Sequence, residues 1–133
     1  MNTKRPVYTI PVASTSFTRE VFLDCSGVTP VIRYSYENDT GECSSGIKFT
    51  KVAAFRKRAE RCCAAWNIEG AYDTLVEIEG SIWAAELKAD VAAPYQHEWR
   101  PRHYMIYFDS VGCFEFLAES WEALPESLLQ RLA

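Results

Sequence analysis

Two alternating segments, 103–108 and 113–119, flank the turn formers Asp109-Ser110-Val111-Gly112 and constrain this chain more than any other feature. Tyr104, Ile106 and Phe108 fall on one side of the first segment, and Phe114, Phe116 and Ala118 on one side of the second. A period of two is the pattern of a strand with one buried face, and a four-residue connection joins such strands into a hairpin. The fold is thereby committed to an antiparallel sheet.

The other side of that hairpin carries His103, Met105, Tyr107, Glu115, Leu117 and Glu119, too apolar for a solvated face and too charged for a core. Residues 72–79 repeat the mixture: with Val76 and Ile78 turned inward, Asp73, Leu75, Glu77 and Glu79 face the other way. Placed in one sheet, these strands would gather carboxylates and aromatics on a shared surface. Like charges so gathered repel unless cations answer them, and Arg33, Arg56 and Arg58 are the candidates. The plain reading is a solvated face with arginine counterions. The functional reading is an acidic, aromatic recognition face built from Asp73, Glu77, Glu79, Tyr107, Glu115 and Glu119, with Arg56, Arg58 and His103 beside it.

The remaining elements follow from shorter signals. Residues 6–12 read as an edge strand tolerant of proline, and 19–25 as a second short strand. Residues 31–37 alternate, with Ile32, Tyr34 and Tyr36 on one face, and Asn38-Asp39-Thr40-Gly41 turns the chain. The stretch 41–46 reads as a hairpin loop, with the return strand beginning at Gly46. Residues 50–66 support two readings, an amphipathic helix with Val52, Phe55, Ala59, Cys62, Cys63 and Trp66 in one arc, or a long strand running from Gly46 to Arg58. Residues 81–89 suit a helix with Ser81 as N-cap, and Pro125 at a first helical position predicts a helix over 125–132. Between them, 90–101 is a turn-rich segment presenting Tyr95, His97 and Trp99, either a binding loop or a cover for one end of the core.

Composition limits the function classes. The chain has 133 residues, enough for one domain, 1–133, with one core. A net charge of −4 gives nothing to draw a phosphate backbone, and the basic run Lys51–Arg61 is interrupted by Glu60, so no nucleic-acid partner is expected. Five cysteines, with Cys62 and Cys63 adjacent and no C-x-x-C, read as reduced thiols of a cytoplasmic protein. No apolar run approaches a membrane span or a signal peptide. The six-residue gap between His97 and His103 fits no standard ligand pair, so neither metal nor other cofactor is expected. No G-x-S-x-G occurs, and sequence alone assigns no catalytic residue, which leans the reading away from an enzyme.

The segments Ala71–Trp83, Arg102–Ser110 and Glu119–Pro125 resemble a loose group of small, uncharacterised bacterial proteins of mobile or accessory genes, including integron-cassette and toxin-immunity-like proteins. The likeness runs from about residue 46 onward. It implies a bacterial, cytoplasmic origin and transfers no functional residue.

The sequence thus predicts an α+β domain, a curved and mainly antiparallel sheet with a few short helices. The first expected function is non-enzymatic binding of a protein partner, a basic one, through the acidic face. A small-molecule binder or enzyme with a pocket on that face, closed by 90–101, is the alternative, and self-pairing into a homodimer is a third.

Overall fold

The structure is a computed structural model that describes residues 3–27, 29–96 and 101–131. Among the described residues, eight strands form one open antiparallel sheet: β1 (Thr3–Thr9), β2 (Phe22–Asp24), β3 (Val31–Asn38), β4 (Gly41–Ala59), β5 (Thr74–Glu79), β6 (Arg102–Phe108), β7 (Gly112–Ala123) and β8 (Ser127–Arg131). Their order is β1-β5-β6-β7-β4-β3-β2, with β8 also paired to β4. The described residues also include the short helices α1 (Ala65–Ile68), α2 (Ile82–Asp90) and α3 (Ala93–Gln96). No described helix is long and apolar enough to cross a membrane.

The β6–β7 hairpin forms as its alternation requires, from Phe108 opposite Gly112 to Arg102 opposite Ala118. Gly112 sits at φ 128°, and a Cβ there would stand 2.1 Å from the Arg58 carbonyl oxygen, so only glycine fits where β4 passes the turn. Tyr104, Ile106, Phe108, Phe114 and Phe116 join Ile32, Tyr34, Ile47 and Phe49 in the main core on one side of the sheet. Phe49 stacks on Phe116 with ring centroids 3.9 Å apart at the centre of this cluster.

The segment 50–66 resolves in favour of the strand. β4 runs unbroken through Ala59, and the helical stripe is not used; a 3₁₀ turn (Glu60–Cys62) and α1 follow it. Pairing with β7 over Ile47–Ala59 satisfies the backbone and seats the segment in the sheet, whereas a helix of this length is marginal without tertiary packing of its apolar stripe. Lys51, at φ 52°, and a register shift between Val52 and Ala54 mark a bulge that resets the alternation. Phe55 therefore lies opposite Phe116 and Arg56 opposite Glu115.

Two local expectations are corrected. Residues 41–46 are strand rather than loop: the hairpin turns over Asp39 and Thr40, and Gly41 to Lys48 pair with β3. Gly46 fits there because a Cβ would meet the Ile32 carbonyl oxygen at 2.4 Å. The predicted helix at 125–132 is instead β8, which continues beyond β7 along the same edge of β4, Gly41 to Ser44. Ser45 Oγ donates to the Leu124 carbonyl and the Leu124 amide to the Gly46 carbonyl, so the chain is held to β4 before a short helix can nucleate.

The second side of the sheet is apolar too. Val76, Ile78, Met105, Tyr107 and Cys113 form a smaller core there with Ala71, against Cys63 and Ile68. Lys4 ties α1 to β1, its Nζ donating to the Trp66 and Glu69 carbonyls and lying 4.5 Å from the Trp66 ring centroid.

Candidate functional site

Facing residues in an antiparallel pair point to the same side of a sheet. Glu77 faces Tyr104, and Val76 faces Met105. Leu75 accordingly lies in the main core and Val76 and Ile78 in the smaller one, which inverts the side assigned to β5 from sequence. Glu77 thus lies on the Tyr104 side of the sheet and Glu115 on the Met105 side. The expected shared acidic face does not exist. The error lies in the phase: Leu75, Val76 and Ile78 are all buried, and an apolar pair on consecutive positions cannot tell the two sides apart.

Outside the Glu115 site, cations answer Glu77, Glu79 and Glu119, whereas Asp73 is held by a backbone amide. Glu77 receives Arg5 at 2.5 Å and lies 3.8 Å from Arg102; Glu79 receives Arg5 at 3.2 Å; Glu119 lies 3.3 Å from Lys51. Asp73, at φ 53°, is buried and accepts the Ser14 amide through Oδ2. Tyr107 is buried and donates to Glu60, and its hydroxyl is pushed up to about 12 by burial first and that carboxylate second. Arg58 donates to the Cys62 carbonyl. Tyr95 lies on α3, largely exposed, whereas His97 and Trp99 fall outside the described residues.

Three of the predicted residues do converge: Glu115, His103 and Arg56. The β6–β7 register sets His103 opposite Leu117, diagonal to Glu115, and β4 sets Arg56 directly opposite Glu115. His103 Nε2 stands 2.7 Å from Glu115 Oε1, with both side chains under 5% exposed. Arg56 reaches the same carboxylate through Nε at 2.9 Å and Nη2 at 3.2 Å. Burial pushes the Glu115 carboxyl up, but the His103 and Arg56 hydrogen bonds and the Arg56 charge outweigh it and hold the group at about 2.

Alpha helix α2 completes the site. Gly80, at φ 73°, turns the chain out of β5, and Ser81 caps α2 by accepting the Ala84 amide at 3.0 Å. The same hydroxyl lies 2.7 Å from His103 Nδ1. Trp83 meets the His103 ring edge-on at 5.1 Å and receives the Arg56 guanidinium 3.9 Å from its ring centroid. A cleft of about 250 Å³ opens above these groups, lined by Arg56, Trp66, Ser81, Ile82, Trp83, Glu86 and His103. Ile82 is 65% exposed at its mouth.

Sequence reading names Ser81 only as a cap and Trp66 only in a helical stripe, and it misses Ile82, Trp83 and Glu86 as site residues, because the groups that meet here are far apart along the chain. One signal was available: once the hairpin turn is fixed, its register alone puts His103 diagonal to Glu115. Among the described residues no group of three or more His, Cys, Asp or Glu side chains is placed to hold a metal ion. Comparison with protein families, curated proteins and solved structures finds no match to this chain.

Proposed function

We propose that the protein binds a small organic molecule in the cleft between α2 and the sheet. The observation that carries this reading is the cleft's mixed lining: Trp66, Ile82 and Trp83 contribute indole and aliphatic surface, and Arg56, Ser81, Glu86 and His103 contribute polar groups. Apolar walls with a few convergent polar groups are the usual composition of a ligand site, and about 250 Å³ limits the occupant to metabolite size. Ring contacts support a sheet curled around the main core: Tyr34 on β3 and Phe108 on β6 lie three strand spacings apart in the sheet order, yet their centroids are 6.3 Å apart. That curl would leave α2 and its cleft on the convex side. With the carboxylates divided between the two sides, an acidic docking face for a basic protein no longer has support.

The test is a thermal-shift screen with small carboxylic acids, esters and amides, followed by titration of Ile82→Lys. Ile82 is exposed, so the substitution should leave the fold intact. Hits should raise Tm by about 5 °C near saturation and lose at least tenfold in affinity in the variant. No hit across these classes, or hits indifferent to Ile82→Lys, would remove the proposal.

A further inference from the structure

We propose that Ser81 is a nucleophile for acyl transfer, with His103 as its base and Glu115 as the residue that positions His103. The inference deepens the cleft reading and rests on it.

The hydrogen-bond directions follow from chemistry. Glu115 is ionised, so it can only accept, and His103 must present an N–H at Nε2. In the neutral imidazole Nδ1 is then a bare lone pair, and the hydroxyl 2.7 Å away donates to it. The Ala84 amide occupies one acceptor site of Ser81 Oγ, which leaves another lone pair for attack. Nucleophile, base and orienting carboxylate thus stand in one chain of hydrogen bonds, the buried pair fixing the tautomer and the hydroxyl lining the cleft. Relative to the common serine relay the two ring nitrogens are exchanged, which leaves the proton path the same.

The start of α2 would supply donors for the negative charge that develops. The Ile82 and Trp83 amides belong to the first turn of α2, where helix geometry gives an N–H no carbonyl partner four residues back. A carbonyl oxygen seated at that end of the helix would receive them as it becomes an oxyanion.

The substrate class is a compact ester of a small carboxylic acid. Ser81 Oγ bonds to the carbonyl carbon while its proton passes to His103 Nδ1. The bond to the ester oxygen breaks, and the alcohol departs with that proton. Water then attacks the acyl-serine ester and gives a proton to His103, and Ser81 recovers it as the carboxylic acid leaves.

The experiment treats the full chain with a fluorophosphonate probe, maps the adduct by peptide mass spectrometry and follows acetate release from p-nitrophenyl acetate. One adduct on Ser81 is expected. It should vanish in Ser81→Asn, which keeps an N-capping side chain, and form at least 100-fold more slowly in His103→Gln. Glu115→Gln should slow labelling while cleft-ligand binding persists, a separation that a purely structural role would not produce. A folded chain that binds cleft ligands but is not labelled at Ser81 overturns this inference and leaves the cleft reading standing. Labelling that continues unchanged in His103→Gln overturns it as well, and loss of both labelling and ligand binding removes the two together.

Discussion

Phe116→Ala is expected to lower the unfolding free energy by about 4 kcal/mol, the middle of the range for truncating a buried aromatic. Phe116 is fully buried in β7, stacked on Phe49 and with Phe55 at 5.9 Å. It therefore ties the adjacent strands β4 and β7 together on the main-core side, and its neighbours are strand residues that pairing on both sides prevents from collapsing into the void. Phe55→Ala is the internal comparison. It lies opposite Phe116 but is 48% exposed, so its loss should be less than half as large. Urea unfolding with an unchanged slope would read the difference directly. Equal losses at the two positions would mean that the Phe49–Phe116 stack is not the centre of the core.

How much of this was legible depended on whether the determining contact was local. The β6–β7 hairpin was readable because turn chemistry and alternation agree within eighteen residues, 102–119, and all six predicted core positions lie in the main core. α2 was readable because Ser81 caps it within its own first turn. By contrast, 125–132 carries a sound local helix signal at Pro125, yet pairing with Gly41–Ser44, more than eighty residues away, decides its form. β5 shows a third case: its strand character was plain, but its phase depends on which neighbour it joins, and the period-two pattern is silent when residues 75, 76 and 78 are all buried. The site inherits that asymmetry. Arg56, His103 and Glu115 were all candidates, but for a surface that the inverted phase dissolves. What unites them instead is a bulge at Lys51 and a helix cap at Ser81.

The second large effect concerns Glu115, which sits at the junction of these elements. Glu115→Gln keeps the shape and an acceptor but removes the charge that His103 and Arg56 share, so it should cost about 2–3 kcal/mol at pH 7. The cost should depend on pH with a definite sign. The folded carboxyl titrates at about 2, below its ordinary 4.5, so the unfolded chain binds the proton more readily. Its stabilisation is therefore complete above pH 4.5 and is lost as pH falls toward 2. The full displacement would amount to about 3 kcal/mol, reduced to roughly 2 because Arg56 is half in water and its charge is screened. Asp24 and Glu42 are also held below their usual range, by hydrogen bonds from Ser26 and Arg33 and from Arg19 and Thr18 respectively, so the acid limb of the wild type alone is a composite. The difference between wild type and Glu115→Gln cancels those contributions. It should shrink by about half between pH 6 and pH 3 in urea titrations. A gap that stays constant over that range would show that Glu115 contributes through packing alone, and with it would go the ionised acceptor on which the direction of every hydrogen bond from Ser81 inward depends.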